Sequence, residues 1–160
     1  MNISLEEQLM KLCIDDISEY SLDNKTFIGK VVDVYDGDTC KIIIIQDGKY
    51  IRYTCRLNGI DTPELKTKDK SDDAYKARNR LIQLTTNIPI LLDNKTSHLN
   101  ITKLIKLNTK LIKIVCQKFD KYGRLLVKLY NYDDTLYTYE LNSILINENL
   151  AKQYYGGCKK

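Results

Sequence analysis

The stretch Asp36-Gly37-Asp38-Thr39 opens a hairpin that runs out into Arg56-Leu57-Asn58-Gly59-Ile60-Asp61-Thr62-Pro63-Glu64. Between these segments, residues 39–45 and 50–57 are rich in β-branched and aromatic side chains and flank Asp47-Gly48, a pair suited to a tight two-residue turn. Such a turn sets Cys40 opposite Cys55. One face then carries Cys40, Ile42, Ile44, Ile51, Tyr53, Cys55 and Leu57. The other carries Lys41, Arg52, Thr54 and Arg56, with Ile43 and Ile45 among them. In that register Asp38 and Arg56 fall on opposite faces, so they meet only if a bend or bulge at the strand ends re-aims them.

Asp38, Arg56, Asp61 and Glu64 gather at the open end of this hairpin. Packed cores exclude charge, so three carboxylates and a guanidinium in one place point to chemistry rather than stability. Hard carboxylate oxygens suit Ca²⁺ or Mg²⁺. A guanidinium suits phosphate, which it grips with two parallel hydrogen bonds. Together they are the equipment for attack at phosphorus.

Outward from the hairpin, residues 26–35 read as a preceding strand. Residues 4–18 read as an amphipathic helix: Ser4 and Glu7 have capping-box spacing, and Leu5, Leu9, Leu12, Cys13 and Ile17 lie near one face. It is either a packing helix or a docking segment for a protein partner. Pro63 is expected to end the second hairpin strand, and a charged loop follows. Asp72 and Asp73 open a helix to about Thr86, with Ala74, Ala77, Leu81 and Leu84 inward and Arg78 and Arg80 on its solvated face. Residues 88–92 suggest a short strand. Residues 94–118 hold six lysines, the single histidine and no acid. Residues 110–118 alternate as a strand. The lysine-rich insert before it, residues 94–110, is either a long loop or a helical insertion, serving either solubility or phosphate attraction. Asp120-Lys121-Tyr122-Gly123-Arg124 turns into a strand over 125–130, and Arg124 is a second candidate phosphate contact. Asp133-Asp134 is a further turn, followed by a short strand over 135–139. Residues 141–148 read as a helix closed by Asn149 in the left-handed conformation. Residues 150–155 are extended, and 156–160 form a mobile tail.

The chain has 160 residues, 43% hydrophobic and 29% charged, which suits one globular domain with a real core. Net charge is +4, unevenly spread: residues 1–25 carry six acids against two lysines, a net −4, so the remainder is +8. A basic body fits a polyanionic partner. Five scattered cysteines without a CxxC pair argue against zinc and for reduced thiols. The acidic N-terminus lacks the basic-then-apolar pattern of a signal peptide, and no apolar run is long enough to span a membrane, so the expected location is intracellular and cytoplasmic.

Four pieces in order, Val31-x-Asp33-x-x-Asp36-Gly37-Asp38-Thr39, Arg56-Leu57-x-Gly59-Ile60-Asp61-Thr62-Pro63-Glu64, Asp120-Lys121-Tyr122-Gly123-Arg124, and Leu150-Ala151 with Tyr155, resemble the staphylococcal nuclease (thermonuclease-like) family. The resemblance covers roughly residues 26–155, with residues 1–25 as an added N-terminal helical extension. It implies an α+β, mainly β fold: a five-stranded OB-type barrel with packed helices. It implies a Ca²⁺-dependent endonuclease that hydrolyses DNA and RNA and leaves 3′-phosphate ends. Carried over by position, Asp38 and Asp61 would be metal carboxylates, assisted by the Thr62 carbonyl. Glu64 would be the general base. Arg56 and Arg124 would grip the phosphate. Lys121, Tyr122 and Tyr155 would line the nucleotide pocket. Asn149 stands where the family commonly has glycine, and Gly157 where the staphylococcal enzyme has a second pocket tyrosine. The family's C-terminal helix is expected to be absent, with the N-terminal helix covering the surface left bare. The alternative function is a catalytically inactive barrel that binds nucleic acid or protein.

Overall fold

The hairpin forms as its turn dictates. In the computed structural model, which describes residues 2–65, 72–88, 93–94 and 96–156, strand β2 (Thr39–Gln46) and strand β3 (Lys49–Leu57) pair antiparallel with Cys40 opposite Cys55. Asp47 and Gly48 take φ of 50° and 75°, the two positive values that the turn requires. Cys40, Ile42, Ile44, Cys55 and Leu57 are buried, as the alternation predicts. Strand β1 (Thr26–Val34) precedes them and pairs with β2.

One extra residue sits in β1. Val31 pairs with Ile42 but Asp33 with Lys41, so Val32 is a bulge. Without it Asp33 would share the inward face with Val31. With it, Val31 and Val34 both point inward, each 0% exposed, and Asp33 stays at the rim. Strand β4 (Ile60–Asp61) is short, since β3 already ends at Leu57 rather than at Pro63 as the sequence suggested. Strand β5 (Ile112–Phe119) and strand β6 (Leu125–Asn131) complete a closed five-stranded barrel, ordered β1-β2-β3-β6-β5 and shut by β5 on β1. Only β3 and β6 run parallel among its pairs. Strand β7 (Lys152–Gln153) pairs with β4 beside the barrel.

Among the described residues there are four α-helices, giving a mixed α and β architecture that is mainly β. Helix α1 (Leu5–Lys11) has the expected capping box, with Ser4 Oγ accepting from Glu7 N–H and Glu7 Oε2 from Ser4 N–H. It stops well short of residue 18, and a 3₁₀ turn (Ile14–Asp16) follows. None of its residues is buried, and Leu5, Leu9, Leu12 and Ile17 are exposed. The buried packing helix expected there is therefore not present. Seven residues form too short a helix to hold by propensity alone. The segment docks only farther on, where Leu22 is buried and Gln46 Nε2 donates to the Tyr20 hydroxyl.

Helix α2 (Asp72–Thr85) buries Ala74, Ala77, Leu81 and Ile82. It also buries Arg78, at 4% exposure, which overturns its assignment to the solvated face. Arg78 bonds to Asn79 Oδ1 through Nε and Nη2, and its guanidinium lies 5.0 Å from the Tyr75 ring centroid. Arg80 does face outward and forms a two-bond pair with Glu148. The short strand proposed over 88–92 lies mainly outside the described residues. The lysine-rich insert contains helix α3 (His98–Leu107), docked on β1 by Ile101 and Ile105. The strand expected over 135–139 is absent: Asp134 captures the N–H groups of Thr138 and Tyr139, and Tyr137 turns to φ 53°.

Helix α4 (Leu141–Asn147) closes as expected, with Asn149 at φ 60°. Leu150 N–H bonds Leu145 O and Asn149 N–H bonds Ile146 O, the pair of bonds that satisfies terminal carbonyls in a left-handed cap. At its start, Asn142 is wholly buried. Its Nδ2 donates to Asn58 O and Val127 O, and its Oδ1 accepts from Leu129 N–H. This one amide ties α4 to β6 and to the turn after β3. Asn142→Leu should leave Leu129 N–H and Asn58 O without this partner, while Val127 O keeps its bond from Asn58 N–H, lowering stability by roughly 2 kcal/mol or more in urea unfolding. A loss below about 1 kcal/mol would show that the amide is not the tie.

Candidate active site

The loop between β1 and β2 folds over one mouth of the barrel. Gly37 makes this approach: a Cβ there would stand 2.6 Å from Ala77 Cβ and 2.8 Å from Thr62 Cγ2. Only glycine lets the loop press between α2 and the segment after β4. Asp38 precedes β2, so strand alternation does not govern its side chain, and it turns toward Arg56. Arg56 Nη1 lies 2.7 Å from Asp38 Oδ2, and Nη2 donates to Asp61 Oδ1 at 3.0 Å. The first contact is ionic, because the N–H directions of Nη1 meet no acceptor. The expected separation of Asp38 and Arg56 on opposite faces is thus overcome by the loop, not by a bulge in either hairpin strand.

Asp38 is 5% exposed and held on every side. Its Oδ2 accepts from Thr62 N–H at 2.8 Å and Thr62 Oγ1 at 3.0 Å, and its Oδ1 accepts from Thr39 Oγ1. Asp36, beside it, accepts from Asp38 N–H. Burial, and then the charge of Asp38, push the Asp36 carboxyl up to about 7. Two buried acids in contact leave this mouth short of positive charge despite Arg56.

Across the mouth, Asp120 orients Arg124. Its Oδ2 accepts from Arg124 Nε at 2.8 Å, and its Oδ1 accepts the backbone N–H groups of Tyr122 and Arg124. Burial pushes the Asp120 carboxyl up, but these donors outweigh it and hold the group below the usual carboxylate range. The Arg124 guanidinium lies 5.5 Å from the Tyr122 ring centroid, and Lys121 Nζ lies 5.1 Å from it. Such stacking keeps the cations at the rim without neutralising them.

These walls enclose a cavity of about 610 Å³, of a size that takes a small ligand. Asp38, Arg56, Asp61, Glu64, Lys121, Tyr122 and Arg124 all line it. A second hollow of about 510 Å³ adjoins it through Arg56, Tyr122 and Arg124, and Tyr155 lies there. Thr62 lines neither; it stands behind Asp38 as a support. The sequence reading gave no role to three residues that also line the first cavity, Asp36, Thr39 and Tyr154. Asp36 and Thr39 sat in the quoted motif. Tyr154 lines both hollows, placed by its N–H bond to Gly59 O. Tyr154 and Tyr155 both line the second hollow, so the adjacent tyrosines taken as a pair were the available signal.

No family model and no curated protein matches the chain. Among the described residues, no three acidic, histidine or cysteine side chains stand close enough to hold a metal ion alone. Asp38 and Asp61 nonetheless offer hard oxygens on either side of Arg56, and the buried Asp36–Asp38 pair favours a cation. A divalent ion fits if backbone, water or phosphate oxygens complete its shell. Among the described residues, no helix is long and apolar enough to cross a membrane.

Proposed function

We propose that the protein is a Ca²⁺-dependent nuclease of the staphylococcal nuclease type, built on an OB-type barrel. The observation that carries this reading is one cavity lined by Arg56, Arg124, Asp38, Asp61 and Glu64. A module that only bound a polyanion would gain nothing from three carboxylates where phosphate must dock.

Asp38 and Asp61, with the Thr62 carbonyl, would hold the ion. Bound Ca²⁺ would neutralise phosphate charge and make a neighbouring water more acidic. Arg56 and Arg124 grip the phosphodiester from opposite sides and stabilise the charge that grows at phosphorus. Glu64 takes the proton of the attacking water. The water oxygen bonds phosphorus, the bond to the 5′ oxygen breaks, and that oxygen takes a proton from solvent, leaving a 3′-phosphate. Tyr122, Tyr154 and Tyr155 offer ring faces to the adjoining nucleoside.

The test is cleavage of labelled single-stranded DNA and RNA with Ca²⁺, with Mg²⁺ and with chelator. Cutting should require Ca²⁺ and fall on the order of 10²- to 10⁴-fold in Glu64→Ala. Intact substrate in every lane, with binding retained, would instead establish a barrel that binds without catalysis.

A further inference from the structure

The mouth of the barrel continues beyond the proposed reaction centre. The 610 Å³ cavity shares Asp36, Thr39, Glu64 and Arg124 with a hollow of about 260 Å³. That hollow shares Tyr35 and Thr39 with another of about 230 Å³, which reaches Lys41 and His98. On the opposite side the groove leads to Tyr155. The four hollows thus form one path, longer than a single reacting unit needs.

The far end of that path is built around Asp33. Its Oδ1 accepts from Thr102 Oγ1 at 3.2 Å and lies 3.2 Å from His98 Nε2, while its Oδ2 lies 3.9 Å from Lys41 Nζ. The Asp33 side chain is 17% exposed, while those of Lys41 and His98 are 46% and 51% exposed. One half-buried acid therefore holds a lysine from β2 and a histidine from α3 at the groove wall. The β1 bulge is what puts Asp33 at the rim. Tyr35, exposed beside them, offers a ring face.

The geometry points to a flanking subsite for single-stranded nucleic acid, in which Lys41 and His98 contact a backbone phosphate one or more nucleotides from the cut and Tyr35 stacks on a base. An aromatic face next to basic side chains, on a groove running through a barrel mouth, suits single strands, because every base offers a π-face. The lysines of α3 do not form this subsite. Lys103 and Lys106 are exposed, and neither lines a hollow of this path. The inference rests on the nuclease reading for what happens to the strand, but not for how the strand is held.

The experiment uses the full chain and single-stranded oligonucleotides from two to about twelve nucleotides long. Binding is followed by fluorescence anisotropy in chelator, and kcat/KM is measured with Ca²⁺. Lys41→Gln and His98→Gln should each weaken binding of the longer strands several-fold, and about ten-fold together, while leaving the dinucleotide unchanged. Both positions are exposed, so melting temperatures should match the parent. Lys103→Gln, which removes one lysine charge away from the groove, should preserve the length dependence. Equal losses at every length, or no loss in either variant, would overturn the subsite even if cleavage proceeds. Length-dependent losses in a protein that never cuts would uphold the subsite and overturn the nuclease reading.

Discussion

Arg124→Ala is expected to lower kcat on single-stranded DNA by on the order of 10³-fold, while shifting the melting temperature by no more than about 4 °C. The two halves of this expectation come from different atoms. Stability involves Nε, which donates to Asp120 Oδ2 in a pair that is 30% and 16% exposed. Such a partly solvated pair contributes about 1 kcal/mol or less. Catalysis would involve the two terminal nitrogens, which take part in none of the bonds that Arg124 makes among the described residues. A pre-oriented fork facing the cavity costs no reorganisation when charge grows at phosphorus. Arg124→Lys keeps the charge but loses the fork, so it should recover only a small part of the rate. Arg80→Ala is the control. It breaks an equally well-formed pair with Glu148 outside the cavity and should leave kcat unchanged. If Arg124→Ala keeps its rate, the phosphate-gripping role fails whatever the fold does.

Where the sequence could be read locally, it was legible. Asp47-Gly48 sets the hairpin register through φ alone, and Asn149 closes α4 for the same reason. The acids and arginines of the site were visible because charge at a strand end has no local use. Failures came where tertiary packing overruled a local rule. Charge assigned Arg78 to the solvated face, although it lies at helical spacing from Ala74, Leu81 and Ile82 and belongs to their buried stripe. Leu5, Leu9 and Leu12 have packing periodicity, yet each stays more than half exposed. Alternation was extended to Asp38, one residue before β2 begins, and there it gave the wrong face. The contact of Asp33 with His98 joins residues far apart in the chain through a bulge and an inserted helix, and no spacing rule reaches that far.

Arg56→Ala should lose both activity and fold stability, which separates it from Arg124→Ala. Arg56 and Asp38 are 12% and 7% exposed at their side chains, so this pair sits in a medium that screens poorly. Removing the guanidinium leaves the buried Asp38 carboxyl without its cationic partner, beside Asp36, whose carboxyl burial and Asp38 have already pushed up to about 7. The three donors from Thr39 and Thr62 remain, but they are neutral. Breaking one side of a buried ion pair costs about 3–5 kcal/mol, roughly 6–20 °C for a domain of this size. Calcium supplies the discriminating arm. In the parent protein Arg56 occupies the space between Asp38 and Asp61, so a cation must compete with it. Without Arg56 the same carboxylates need a counter-charge, and any ion that binds only the folded state stabilises it by mass action. Millimolar Ca²⁺ should therefore raise the melting temperature of Arg56→Ala more than that of the parent, and Asp61→Asn added to Arg56→Ala should reduce the gain. A variant as stable as the parent and indifferent to Ca²⁺ would mean that Arg56 neither compensates the buried acids nor shares their site with a metal.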